Sequence, residues 1–301
     1  MSAAITLSNG IQVPEICMGS GILHKYSRAG KLNKAKYWIK NYLKNQSQFK
    51  KDYNFSKVIS TAMENGISMF DTSRAYYGAE RELGKALRSY PRADYRIVTK
   101  LRNADQYKGD IRAALEASLS AMDLEYVDIY LMHWPVTDLW IRNWKEMEKL
   151  YEEGLCRAIG VCNCNIHHLE ELKREANVFP VIDEFECHPL LTQNELRAYC
   201  RENGIQVMAY TSTARMDERL RKTALVPIAK EHGKSVAQVI LRWHQQIGNI
   251  PIFASSSPEH VAANARLADF TLSPEEIEQI TKININSRLR YDPDNCDFRQ
   301  L

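Results

Sequence analysis

No apolar run in this 301-residue chain approaches the ~20 residues that a membrane-spanning helix needs, so a helical transmembrane protein is excluded. The residues after Met1 lack the basic and apolar regions of a secretory signal, and a cytoplasmic location is expected. Cysteine is sparse, odd in number and scattered; seven such residues suit a reducing compartment better than a disulfide framework. A dominant charge is also missing: 40 basic residues against 37 acidic ones leave +3, too mild to argue for nucleic acid. No low-complexity linker divides the chain, so one domain over residues 1–301 is expected. The exception to this evenness is local, because Lys25 to Lys57 holds ten basic residues and one acid, Asp52. With 45% hydrophobic and 26% charged residues, the rest has the make-up of a globular protein with a substantial core.

What is present is a rhythm. Asn9-Gly10, between Ile5–Leu7 and Ile11–Val13, predicts a small β-hairpin with a tight turn. Eight short apolar runs follow, at 16–18, 67–70, 97–99, 127–132, 158–161, 181–185, 207–210 and 250–253. Helical patterns such as Ile111–Met122 and Trp144–Tyr151 separate them. Gly66, Gly154, Gly204 and Gly233 stand where helices stop, and Ser235 with Gln238 reads as a capping box. Eight strands alternating with helices imply parallel pairing and a (β/α)₈ TIM barrel.

In such a barrel chemistry sits at the carboxyl ends of the strands. The second, third and fourth strands end at Asp71, Lys100 and His133, and Tyr76 follows Asp71 in a loop. Alone, each has a bland reading: Asp71 a turn or cap, Lys100 a solvated charge, His133 a polar residue beside Trp134. Delivered together they form a proton-donor site. Tyr76 and Tyr77 compete for the donor role; distance from Asp71 favours Tyr76, and proximity to Gly78-Ala79-Glu80 favours Tyr77, which otherwise walls the pocket.

With Phe70-Asp71-Thr72, Tyr76, Thr99-Lys100 and His133-Trp134-Pro135, the chain resembles the aldo-keto reductase family. Gly160-Val161-Cys162-Asn163, Glu186-Cys187-His188-Pro189, Ala209-Tyr210 and the segment from Arg290 to Asp294 extend the match from hairpin to tail. The resemblance implies reduction of an aldehyde or ketone by NADPH or NADH. It makes Tyr76 the proton donor, with Lys100 lowering its pKa, Asp71 pairing with Lys100 and His133 orienting the substrate carbonyl. Trp134 becomes a substrate wall, and the expected partner is a small carbonyl compound bound by a monomer or weak homo-oligomer. The alternative is a catalytically idle relative that binds nucleotide or a partner.

The resemblance also implies a cofactor pocket: Gly19, Ser20, Asp71, Cys162, Asn163, Glu184, Tyr210, Thr211, Ser212, Ser255, His260 and Asn264. Cys162 and Glu184 stand where the family usually has serine and glutamine. Around the 2′-phosphate, Ala254 replaces a lysine and His260 an arginine, which weakens NADPH selectivity and makes NADH credible, though Ser255 to Ser257 offer donors at a helix start. Cys162-Asn163-Cys164 with His167 and His168 invites a metal reading, but the spacing is no standard zinc pattern, and no metal is expected.

Extra sequence from about His24 to Asn54 follows the first strand. Ala35, Trp38, Ile39, Tyr42 and Leu43 keep helical spacing, with Lys34, Lys36, Lys40 and Lys44 largely off that face. The helical insertion is either a basic lid selecting an anionic or sugar-like carbonyl, or a packed helix with a solvated lysine face. Short loops, Val136 to Arg142 and Thr211 to Glu218, suggest an open rim, with the tail from Arg290 folding over the same end.

Overall fold

The computed structural model describes residues 4–21, 54–76 and 78–299. The helical insertion, Trp38 included, and Tyr77 lie outside the described residues. Eight parallel strands close into a barrel: β3 (Cys17–Gly19), β4 (Met69–Asp71), β5 (Arg96–Leu101), β6 (Ile129–Met132), β7 (Ile159–Cys162), β8 (Ile182–Glu186), β9 (Gln206–Tyr210) and β10 (Ile250–Phe253), the last pairing back onto β3. Each expected apolar run contributes one of these strands. Before them, β1 (Ala4–Thr6) and β2 (Gln12–Pro14) pair antiparallel with Ile5 opposite Val13. Their connection is looser than a two-residue turn: Leu7 N–H bonds Ile11 O, leaving Ser8 to Gly10 as the loop, with Gly10 at φ 87°.

The hairpin plugs the amino-terminal end. Leu7 and Val13 belong to the same buried cluster as Cys17, Met69, Val98, Ile129, Leu131, Ile182, Met208 and Ile250, which fill the barrel. Alternating residues face outward, among them Phe70, Ile97, Tyr130, Phe185 and Val207, and pack under the helices. The helix predicted at 144–151 begins earlier, at Trp140, because Trp140, Asn143, Trp144 and Met147 share one buried face. Gly66, Gly154, Gly204 and Gly233 each take positive φ past a helix end, and the Ser235–Gln238 capping box forms. A Cβ on Gly84 would collide with the Met122 backbone. Gly84 therefore lets helix 79–87, which carries the end of the Tyr76 loop, lie close against helix 111–122. Among the described residues no helix is long and apolar enough to cross a membrane, and all seven cysteines are free and buried.

Strand alternation determines what caps the interior. Asp71 on β4, Lys100 on β5, Cys162 on β7 and Glu184 on β8 all point inward one layer above the apolar fill, and all are buried. Asp183, between Ile182 and Glu184, faces outward instead and is fully buried. Burial pushes its carboxyl well above the usual range; the Cys164 backbone N–H opposes this and Glu184 adds to it. Native Asp183 stays protonated while the unfolded chain ionises it above about pH 3.9. The unfolded state then binds fewer protons, so this residue's stabilising contribution falls as pH rises from that point. Asp183→Asn cannot ionise in either state. Its stability advantage over the wild type is expected to be near zero at pH 4 and to grow by up to about 1.4 kcal/mol per pH unit above it. Urea unfolding of both proteins at pH 4.5 and 7.5 checks this; a constant difference would refute it.

Candidate active site

The loop after β4 is built to present Tyr76. Thr72 N–H bonds Val98 O, Tyr76 N–H bonds Ser73 O at 2.8 Å, and Ala79 N–H bonds Tyr76 O at 2.7 Å, launching the next helix through Gly78 at φ 76°. Arg74 Nε to Asp105 Oδ2, 2.9 Å, ties the loop to the segment after β5. Gly21 lies under the Tyr76 ring; a Cβ there would sit 3.5 Å from its Cε2.

The three residues expected at strand ends and Tyr76 are brought together. Lys100 is fully buried, its Nζ paired with Asp71 Oδ1, 3.1 Å from Thr72 O and 3.3 Å from Glu184 Oε2. The ammonium lies 5.6 Å from the centre of the Tyr76 ring. The His133 ring meets Tyr76 edge-on at 6.1 Å and 83°. Lys100 is held well above its ordinary pKa by Asp71 and Glu184, which overcome the opposing effect of burial. It is a permanent cation in a fully buried position.

Tyr76 departs from expectation. Lys100 pulls its pKa down, but burial pushes it up more strongly, and Asp71 and Glu184 add to the rise. The phenol therefore keeps its proton throughout the neutral range instead of being a shifted, partly ionised acid. His133 is held well below its ordinary value by burial, Lys100 and Arg290, so its imidazole is neutral. Ser73 Oγ accepts the Ala75 N–H at 3.1 Å and lies 3.4 Å from His133 Nδ1. With its own hydrogen given to Nδ1, the His133 proton is assigned to Nε2, leaving an N–H donor for the pocket. Ser73 was not anticipated as a site residue, although its place midway between Asp71 and Tyr76 was a signal.

Trp134 flanks His133 with ring centres 6.3 Å apart, and it is buried by Tyr291 and Phe298, whose rings lie 6.5 and 5.2 Å away. Its Nε1–H has no hydrogen-bond partner among the described residues. The tail does fold over this end. Fully buried Glu186, at the end of β8, accepts the backbone N–H of Leu289 at 2.7 Å and of Arg290 at 3.1 Å. Cys296 Sγ bonds Pro135 O and Asn103 Nδ2 bonds Cys296 O. Glu186 as a tail clamp escaped sequence reasoning, which saw only its place in a motif.

The expected nucleotide residues lie at, near or after the carboxyl ends of β3, β4, β7, β8, β9 and β10, and their chemistry fits a nicotinamide nucleotide. Ser20 and Thr72 carry buried hydroxyls without partners among the described residues. Gly19 leaves little room for a side chain: a Cβ would sit 3.2 Å from Ile252 Cγ2, which would have to give way. Asn163, at φ 64°, donates from Nδ2 to His133 O at 3.0 Å, and its Oδ1 accepts from Tyr210 OH at 2.5 Å. This amide ties the His133 backbone to the Tyr210 hydroxyl. Cys162 Sγ lies 3.9 Å from Glu184 Oε1. Ser212 Oγ donates to Ile252 O, and Thr211 opens a strained stretch in which it, Ala214, Arg215 and Met216 all take positive φ. Further round, Ser257 caps the helix carrying His260 and Asn264, its Oγ accepting from His260 N–H and donating to Glu259 Oε2 at 2.5 Å. Ser255 is buried and His260 exposed.

The chain matches the family model described as "Aldo/keto reductase family" over residues 41–285. The chain belongs to this family. Among its relatives, Glyoxal reductase of Bacillus subtilis is 40% identical over 81% of this chain and 88% of its own length. Methylglyoxal reductase DkgA of Salmonella typhimurium is 40% identical over 79% and 87%. A Bombyx mori aldo-keto reductase solved in complex with NADP superposes with a TM-score of 0.80 at 27% identity, covering 98% of this chain and 96% of that one. Aldo/keto reductase membership makes the chain an NAD(P)-dependent carbonyl oxidoreductase in class, and the barrel with its hairpin is the architecture expected of it.

The metal reading dissolves on geometry. Cys162 and Cys164 point to different surroundings, inside and outside the barrel. His167, His168 and Asp294 do cluster, with His167 Nε2 3.3 Å from Asp294 Oδ1. However, His168 Nδ1 accepts the Asn165 N–H in a capping box, which leaves its proton on Nε2, the atom a metal would need.

Proposed function

We propose that this protein reduces an aldehyde or ketone to its alcohol with NADPH or NADH. The observation that carries the reading is the buried Lys100–Asp71 pair set beneath Tyr76, with a neutral His133 opposite. The nicotinamide cofactor, held by Tyr210, Asn163, Ser20 and the serines after β10, supplies the hydride when bound. The chain's own residues do the rest. His133 Nε2–H bonds the substrate carbonyl oxygen and fixes its direction. The Tyr76 hydroxyl, aimed at the same oxygen, delivers the proton. Lys100 opposes the negative charge that remains on the phenol, and Asp71 holds Lys100 in place. Lys100 and Asp71 act from full burial, where such preorganised electrostatic stabilisation counts most.

Small 1,2-dicarbonyls are the first substrates to try, since the named relatives reduce glyoxal and methylglyoxal and the Trp134 Nε1–H stands ready for a second oxygen. Anionic or sugar-like carbonyls come next. The test is fluorescence titration with NADPH and NADH, then turnover with glyoxal, methylglyoxal, a keto acid and a sugar aldehyde. Binding of neither nucleotide would sink the reading.

Cofactor preference has its own expected outcome. Ala254 and His260 place no fixed cation near the 2′-phosphate, and Glu259 adds a carboxylate. Ala254→Lys with His260→Arg should tighten NADPH binding at least about tenfold relative to NADH, about 1.4 kcal/mol. An unchanged ratio would mean that the phosphate is held elsewhere.

A further inference from the structure

Lys100 is flanked by two carboxyl groups, and the mechanism uses only one. Its ammonium has three N–H donors. Asp71 Oδ1 takes one, and Thr72 O at 3.1 Å takes another. Beside the third lie Glu184 Oε2, 3.3 Å away, and the Tyr76 ring, whose centre is 5.6 Å from Nζ. Glu184 is as deeply buried as the pair itself and enters from β8, across the barrel from β4.

We propose that Glu184 is a positioning residue that competes with Tyr76 for the Lys100 ammonium, so that ionising Glu184 restrains proton donation by Tyr76. The proposal rests on the reading of Tyr76 as the donor. When Glu184 is protonated, Asp71 and Lys100 cancel, the third N–H is available to Tyr76, and one negative charge appears as the phenol gives up its proton. When Glu184 is ionised, the site already carries an excess negative charge. The developing phenolate then meets an additional anion in a region of low dielectric, and Lys100 is drawn towards β8.

The groups facing Glu184 leave it free to play this part. Cys162 on β7 and Cys17 on β3 are thiols pushed well up by burial, so both stay neutral. The charge-bearing neighbours are Asp71, Lys100 and, during donation, Tyr76. Burial first, then Asp71, push Glu184 up to about 8, which puts its ionisation inside an ordinary assay range. A glutamine at this position would keep the shape and lose the titration.

The experiment is the pH dependence of kcat for carbonyl reduction, wild type against Glu184→Gln, with thermal unfolding to confirm that the variant is folded. The wild type should lose activity above about pH 8, falling towards the lower rate of the form with Glu184 ionised. E184Q should lack that limb. A second measurement needs no turnover: infrared titration should show a protonated carboxyl losing its proton near pH 8 in the wild type, and the difference against E184Q assigns it to Glu184. Superimposable basic limbs, or no carboxyl titrating in that range, would overturn the proposal. If the wild type reduces no carbonyl at all, the donor reading itself fails and takes the proposal with it, while the infrared result still reports the state of Glu184.

Discussion

Tyr76→Phe is expected to lower kcat for carbonyl reduction by about 10²–10⁴-fold, the usual worth of a positioned general acid, with nucleotide affinity little changed. The substitution removes a hydroxyl and keeps the ring that lies over Gly21 and edge-on to His133. The loop holding it is fixed by backbone bonds from Ser73 and Ala79 and by Arg74–Asp105, none of which involves the phenol. The effect should therefore fall on chemistry. Single-turnover rates with saturating nucleotide, beside a nucleotide titration, separate the two. Retention of most of the activity would move the donor role to Tyr77, the neighbour favoured by the count back from Gly78. Loss of nucleotide binding would mean instead that the ring is part of the cofactor wall.

How much of this was legible beforehand depends on whether a residue's surroundings are local or come from distant strands. The barrel could be read because each strand carries its own apolar run and each helix its own stop. Asp71, Lys100 and His133 could be placed because a strand end is a sequence position, and in a barrel all such ends converge. What could not be read is the outcome of that convergence. Lys100 beside Tyr76 suggested a lowered phenol pKa; the structure adds burial and two carboxylates, and the sum has the opposite sign. Glu184 looked like a changed cofactor contact, and only the closure of β8 against β7 and β9 shows it reaching Lys100. Ser73 and Glu186 act through partners that periodicity does not register: a ring nitrogen 60 residues away and backbone N–H groups more than 100 residues away.

Lys100→Met should be the most damaging single change, in two ways that can be separated. Methionine replaces most of the buried stem but leaves Asp71 and Glu184 facing each other without a cation. Removing one partner of a buried ion pair costs about 3–5 kcal/mol, because the remaining charge is uncompensated. Here relief comes through protonation. Burial already holds both carboxyls above their unfolded pKa values, and Lys100 is what opposes that rise; without it both go higher, so the variant's native state keeps more of the protons that the unfolded state releases. By linkage, the variant's deficit should then widen as pH rises through the neutral range and shrink towards pH 4–5, where both states bind the protons. Adding Asp71→Asn removes one of the two stranded carboxyls and should recover much of the stability at pH 7.5. It should recover none of the activity, because the charge that opposes a developing phenolate is still missing. Denaturant unfolding of wild type, K100M and K100M/D71N at pH 5 and 7.5, together with kcat for each, decides the matter. If the double variant were no more stable than K100M, the instability would come from lost packing around the lysine stem, and the electrostatic account of this site would have to be abandoned.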